Sequence, residues 1–364
     1  MKQHSIAVIS NEPWNEVWFS KQHYANELSK MGFDTYFINA PTKWRPLNLF
    51  SFSIKSNETT RPNLIVLEYV NNFPLKIFPR FFLHLNDFFN SWKLKKAIGT
   101  EQPVIWWQFD PFRFVNVYFF RSIKRIYHVV DPFQHIWSNT QIAQHADLVV
   151  LVSKYYERYY KNLQERTIYI PHGVSDQEFL IDSNKLNQIK RKVGSNYILW
   201  IGTINIDIDY LLLKTLINEL HEIPFVIIGP IAINGQEKNE FTKICNCTNV
   251  NYVGLVAAEE LKYYVALSKV GIVPYKKDKS ENIHRTPLKI LNYLSQKKPI
   301  VTTLNYELTM LNNNGIYIAE SEIEFIETVR EIYIEEKTIN KEKVSTYIEE
   351  ILYPKLIEKI LNQL

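Results

Sequence analysis

Residues Arg285-Thr286-Pro287-Leu288-Lys289 set two cations around a run that can open a helix, just after the apolar stretch 270–275. Thr is a good N-cap, and Pro suits the first helical position, where its missing N–H costs nothing. The spacing therefore predicts a helix with Thr286 at its cap and Pro287 as its first residue. Ile290, Leu291 and Leu294 continue the helical pattern, and 299–303 reads as the next strand. A helix start offers unpaired N–H groups and partial positive charge to an anion. Arg285 and Lys289 add full charges, so the implied chemistry is phosphate binding. An ordinary βαβ unit with two solvated cations is the competing reading.

Carboxylates and imidazoles that could move a proton lie mostly in the first half. Asp110, in Gln108-Phe109-Asp110-Pro111, and Asp131, in Val130-Asp131-Pro132, each follow a candidate strand. A carboxylate there can orient or deprotonate a hydroxyl, or it can simply start an Asp-Pro turn. His23, near the start of the first predicted helix, and His172, after Ile170-Pro171, are further candidates. Asp207-Ile208-Asp209 has the spacing of a metal-binding pair, yet reads better as a helix cap, since one carboxylate pair is a poor site by itself. Cys245 and Cys247 are the only cysteines. They are too close for an easy disulfide and too few for zinc.

These groups need a scaffold, and the chain supplies one twice. Short β-branched and aromatic runs at 6–10, 35–39, 64–70, 104–108, 126–130, 148–152 and 167–170 alternate with helical patterns such as 20–31, where Tyr24, Leu28 and Met31 share a face. The second half repeats the scheme with strands at 197–201, 225–228, 251–253, 270–275 and 299–303 and helices at 209–220, 258–268 and 287–294. Strands alternating with helices predict parallel sheets covered on both faces. Ligands bind such sheets outside the carboxyl ends of the strands, where Asn11, Asp110, Asp131, Gly202, Thr203, Pro230 and Tyr275 fall. The polar stretch 183–195 is taken as the boundary. It divides the chain into domains 1–182 and 183–340, with a charged helical segment, 341–364, bent at Pro354 and able to cross back to the first domain.

Composition narrows the class. The 364 residues carry 22 Tyr, 21 Phe and 8 Trp but only 10 Gly, and neither G-x-G-x-x-G nor a Walker A run occurs. The net charge of +4 gives no indication of nucleic-acid binding. Without a secretory h-region or a membrane-length apolar run, the expected location is cytoplasmic, including the inner face of the cell membrane. Segment 75–96 mixes aromatics with cations, as interfacial segments do; a buried helix with a solvated basic face is the alternative.

The ordered motifs resemble the GT-B glycosyltransferases, specifically glycosyltransferase family 4 and its group 1 domain. The resemblance rests on Ala146-Asp147-Leu148-Val149-Val150-Leu151-Val152-Ser153 and on Ile170-Pro171-His172-Gly173-Val174 with Phe179. It continues in Gly254-Leu255-Val256 with Glu260-Leu261 and Val273-Pro274-Tyr275, and in Pro287-Leu288-Lys289-Ile290-Leu291-Asn292-Tyr293-Leu294 with Lys298-Pro299-Ile300-Val301. Ile201-Gly202-Thr203-Ile204 and Tyr127-His128-Val129-Val130-Asp131 resemble a subgroup that builds bacterial surface polysaccharides of the teichuronic-acid type. The sequence departs from the pattern at Asn292 and His284, where the family usually has acidic residues, and at Lys297, where it has Gly.

The resemblance implies two Rossmann-like parallel-sheet domains facing an interdomain cleft. It also implies transfer of a sugar, with retention and without a metal, from a nucleotide-sugar donor to a glycan or lipid-linked acceptor. Lys289 and Arg285, with the N–H groups of Thr286, Pro287's neighbour Leu288 and the turn Gly202-Thr203, would hold the diphosphate. Asn292 would face the ribose, Tyr275 or Pro230 the base, and His284 would stand in the family's second acidic position. Asp131, Asp110 and His23 would serve the acceptor. A nucleotide-sugar epimerase and a degenerate, non-catalytic binder of the same fold are the alternatives.

Overall fold

A short, nearly continuous apolar run such as Ser5-Ile6-Ala7-Val8-Ile9 suits a strand covered on both faces, and every residue of it is buried. In the computed structural model, which describes residues 4–15, 18–99, 104–116, 118–131, 133–284, 286–311 and 314–364, this strand lies inside the first of two sheets. The chain divides into two units, Met1–Pro171 with Tyr353–Leu364, and His172–Leu352.

The first unit holds β1 (Ser5–Ile9), β2 (Thr35–Ile38), β3 (Lys55–Glu58), β4 (Leu64–Glu68), β5 (Val104–Gln108), β6 (Lys124–Val129), β7 (Leu148–Leu151) and β8 (Thr167–Tyr169). Their order is β3-β4-β2-β1-β5-β6-β7-β8. All neighbours run parallel except β3, which pairs antiparallel with β4 from Lys55 opposite Glu68 to Glu58 opposite Ile65. The sequence reading missed β3 because Lys-Ser-Asn-Glu is a polar, largely exposed edge strand with no apolar pattern to reveal it. Helices α1 (Ser20–Lys30), α2 (Pro79–Ile98) and α3 (Trp137–Gln144) cover the sheet.

The second unit holds β9 (Tyr197–Ile201), β10 (Phe225–Ile228), β11 (Val250–Gly254), β12 (Ser268–Val273), β13 (Ile300–Thr303) and β14 (Ile316–Ala319), all parallel, in the order β11-β10-β9-β12-β13-β14. Its helices are α4 (Ser183–Val193), α5 (Tyr210–Glu219), α6 (Gly235–Cys245), α7 (Ala258–Leu267), α8 (Ser280–Ile283), α9 (Leu288–Ser295), α10 (Glu322–Tyr333) and α11 (Lys341–Glu350). Then α12 (Tyr353–Leu361) returns the chain to the first unit, where Tyr353, Leu356, Ile357 and Ile360 are buried and the helix packs on α1.

The domain junction differs from the expected one. The polar stretch 183–195 is not a linker but α4 of the second unit. Asp182 caps it by accepting from the N–H groups of Asn184 and Lys185, and Ile189 alone is buried. A mostly exposed helix has the same composition as a linker, so polarity misled. The junctions fall at Pro171/His172 and Leu352/Tyr353, and α11 stays with the second unit.

Both sheets have a topological switch point. In the first, connections leave to opposite sides between β1 and β5; in the second, between β9 and β12. Crevices outside the carboxyl ends at such points are where open α/β sheets bind ligands.

Candidate functional site

The second unit's switch point is built around Lys289. Helix α9 begins at Leu288, so Pro287 is the residue before the helix rather than its first, and Thr286 lies one residue further out. The correction has a physical basis: Pro287 has the extended backbone of a cap residue (φ −67°, ψ 131°), and no side chain caps the helix start. Lys289 sits in the first turn. Its Nζ lies 5.1 Å from the ring centre of Trp200 and 4.9 Å from that of Tyr275. No carboxylate pairs with it among the described residues. Arg285 lies outside the described residues.

Gly202, directly after β9, makes room for this lysine. A Cβ there would fall 2.4 Å from Lys289 Nζ, and Gly202 has φ +135°. Gly229, after β10, approaches so closely that its Cβ would meet the Gly202 carbonyl oxygen at 1.8 Å. The two loops then run together, with Ile204 N–H donating to the Pro230 carbonyl at 2.9 Å and Ala232 N–H to Ile204 at 2.8 Å. Thr203 and Pro230 are exposed beside them.

Helix α9 is held in place by Tyr293. Its ring lies on Gly271 of β12, where any Cβ would come within 2.5 Å of it, and its hydroxyl donates to the Leu199 carbonyl of β9 at 2.8 Å. Complete burial drives this phenol well above its ordinary pKa, so it remains a neutral donor. Asn292 follows Lys289 by three residues and so shares its side of the helix. Tyr275 is nearly buried; its carbonyl accepts from Thr303 Oγ1 at 2.8 Å, and its ring is turned to the lysine. His284 packs on the Tyr306 ring at 5.3 Å. Asp209 caps α5 through Leu212 N–H at 3.0 Å, while Asp207 pairs with Lys279 at 2.8 Å, so the two carboxylates serve separate contacts.

The sequence reading did not single out Trp200, Gly229 or Gly271. Trp200 reads as an ordinary core residue of an apolar strand, and only its proximity to a lysine 89 residues away gives it meaning.

In the first unit, the loops after β1 and β5 meet at the switch point. Asp110, expected as a candidate base, is instead a buried structural anion. Its Oδ2 accepts from Arg113 Nε at 2.6 Å and its Oδ1 from the Phe112 N–H at 2.6 Å. Arg113 then donates to the carbonyls of Ser10 (2.5 Å) and Asn39 (3.0 Å), stitching the ends of β1 and β2 together. Asp110 is buried with both oxygens engaged inside the protein, so an incoming hydroxyl does not reach it.

His23 is likewise committed. It stacks on Tyr353 of α12 (5.2 Å, 8° between planes) and meets Trp18 edge-on. Burial, aided by the charge of Lys30, lowers its pKa to about 4, so it is a neutral packing ring near pH 7. Asp131 differs: it is exposed, in the loop after β6. The unanticipated residue here is Lys21. It is buried in the first turn of α1, its Nζ donates to Asn11 Oδ1 at 2.8 Å, and desolvation lowers its pKa against the pull of Glu12, Asp131 and Asp110.

Comparisons with known proteins fit this geometry. Residues 195–335, which contain the Lys289 site, match the family Glycosyl transferases group 1. A Bacillus subtilis (strain 168) protein, TuaH, provisionally named a teichuronic acid biosynthesis glycosyltransferase, is 27% identical over 168 residues; the alignment spans 45% of this chain and 42% of that relative. Sucrose-phosphate synthase (tll1590) of Thermosynechococcus elongatus superposes with a TM-score of 0.72 at 14% identity, covering 99% of this chain and 98% of its own. Alr3699/HepE of Anabaena, solved with UDP, gives 0.68 at 11% identity over 98% of both chains. These likenesses show the GT-B fold: two Rossmann-like units, each with a parallel-stranded sheet.

Proposed function

Taking residues 195–335 as the group 1 glycosyl transferase domain that their match identifies, we propose that this chain moves a sugar from a nucleotide-sugar donor to a glycan or lipid-linked acceptor. The observation that carries the proposal is Lys289. It is a cation at an uncapped helix start, seated over a glycine at a switch point, with no carboxylate beside it among the described residues. Breaking the bond between sugar and nucleotide leaves a diphosphate whose growing charge must be met. Fixed cations and helix-end N–H groups do this without rearranging during the step. Lys289 and the N–H groups of Leu288 and Lys289 supply them here, and Asn292, on the same side of α9, supplies an uncharged partner for a ribose hydroxyl. Pro230 and Tyr275 would take the side of the base in this reading.

The reaction in this reading needs no metal ion and retains the anomeric configuration, as the family resemblance implies. The UDP in the Anabaena neighbour and the name of the Bacillus relative support a uridine nucleotide and a role in surface polysaccharide synthesis. In the first unit, exposed Asp131 is the remaining carboxylate candidate for the acceptor hydroxyl.

Isothermal titration with UDP tests the donor site. Lys289→Ala should weaken binding by about 1.5–3 kcal/mol, the scale of a charged hydrogen bond; unchanged affinity would sink the assignment. Donor turnover should survive EDTA, and Asp131→Asn should abolish transfer while leaving UDP affinity intact. Asn292 and His284 keep one alternative in play, a binder without turnover. UDP binding with no hydrolysis or transfer of any donor would establish that alternative instead.

A further inference from the structure

Helix α2 is built inside out. An ordinary surface helix turns its apolar stripe to the core and its polar face to water. Here five of the eight buried residues are polar: Asn86, Asp87, Asn90, Ser91 and Lys93. Each of the long ones has work inside. Asn86 exchanges hydrogen bonds with both backbone groups of Phe73 (2.9 and 3.0 Å). Asp87 accepts from the N–H groups of Phe114 and Val115, both at 2.8 Å. Asn90 donates to Asn71 and Lys93 to the Val70 carbonyl.

The outward face carries Phe81, Phe88 and Trp92, spaced by seven and four residues and so along one side of the helix, with Phe78 exposed at its N-cap. Phe78 and Phe81 are 73% and 61% exposed, and Ile77 and Leu75 extend the surface backward. A second stretch joins it. Phe52 meets the rings of Phe89 and Trp92, and the Asn72 side-chain amide donates to the carbonyls of Asn48 and Ser51, holding the turn Pro46–Phe50 alongside. On that turn Leu47 and Phe50 are 86% and 82% exposed.

Every exposed charge along both stretches is positive. Lys43, Arg45, Lys76 and Lys96 stand free of ion pairs among the described residues, and Arg80 leans on Trp137. Residues 40–57 contain no carboxylate, and residues 69–99 contain only Asp87, which is buried. Both stretches follow the carboxyl ends of strands, β2 for one and β4 for the other.

We infer that this face of the first unit is a docking surface for an anionic lipid membrane, with the aromatic stripe entering the headgroup boundary and the flanking lysines and arginines meeting lipid phosphates. Apolar area and charge act together in such binding, and neither alone anchors a protein stably. A protein partner matched to this face would have to be both apolar and acidic; an anionic bilayer has that chemistry everywhere along its surface. The inference stands apart from the transfer reaction, since docking needs no donor.

Vesicle co-sedimentation of the full chain tests it, with phosphatidylcholine alone and with phosphatidylcholine doped with phosphatidylglycerol. The expected result is binding to the doped vesicles only, weakened by added salt. Phe78→Ser/Phe81→Ser and, separately, Lys43→Glu/Arg45→Glu/Lys76→Glu should each lower the partition coefficient by about tenfold or more. The charge variant leaves all packing intact, and thermal melting checks that both fold. Equal binding to neutral vesicles, no binding, or variants that bind like the parent would overturn the inference. So would a stable dimer in sedimentation velocity that Phe78→Ser/Phe81→Ser dissociates, which would make the stripe a face for a second copy of the chain.

Discussion

Lys289 and Gly202 act as one device. The lysine occupies the volume a side chain at 202 would need, so the two cannot be altered independently. Gly202→Ala would place a methyl 2.4 Å from Nζ and force a residue with a Cβ to φ +135°. The expected outcome is a loss of about 1–3 kcal/mol in stability from backbone strain, read by denaturant titration, together with weaker UDP binding in calorimetry. Asp110→Asn should be worse for stability and harmless to nucleotide affinity. It leaves Arg113 buried without its counter-charge, and breaking such pairs typically costs about 3–5 kcal/mol. His23 makes a pH prediction. Its folded pKa, about 4, is below the unfolded value, so the unfolded chain takes up the proton first. The stability this ring contributes is whole above about pH 6.5 and drains away as pH falls toward 4, by up to about 3 kcal/mol. His23→Phe should flatten that part of the stability–pH curve. These roles were only partly legible beforehand. The Asp110 partner, Arg113, is three residues away and visible in the sequence, but nothing local says that both are buried. Lys21 sits in a helix turn that reads as solvent-facing.

Among elements, legibility followed burial. Strands β5, β9 and β10 are buried throughout and almost wholly apolar, with Gln108 the one polar residue, and they were delimited correctly, because a strand covered on both faces advertises itself. Strand β3 was invisible for the opposite reason, and β14 is likewise an edge strand, with Tyr317 and Ile318 only half-buried. Helix α9 was placed within one residue, since the Ile290, Leu291, Leu294 spacing is strong, yet its attachment was hidden. That attachment is Tyr293 against Gly271, a contact between a helix residue and a strand residue 22 positions earlier. Gly271→Ala should push the ring off the sheet and tilt α9, with overpacking of about 1–3 kcal/mol and a parallel loss of UDP affinity, even though residue 271 itself touches no ligand in this reading. An unshifted melting temperature would mean that α9 adapts freely and that its position is not fixed in this way.

For the whole molecule, the sequence announced two α/β units but misplaced where one ends, because the composition of an exposed helix and that of a linker are alike. No helix among the described residues is long and apolar enough to cross a membrane. The first unit depends on α12, whose Tyr353, Leu356, Ile357 and Ile360 are buried against it. A chain stopped after Leu352 should therefore lose the first unit's cooperative melting while the second keeps its own and still binds UDP. Two transitions in calorimetry, one abolished by the truncation, would be the signature.

The return of α12 also sets an order of events during synthesis. The second unit is one unbroken stretch, whereas the first is interrupted and stays unfinished until residues 353–364 leave the ribosome. Nascent chains should thus carry a completed second unit alongside a first unit still waiting for α12, exposing Tyr24 and its neighbours to chaperones until that helix is made.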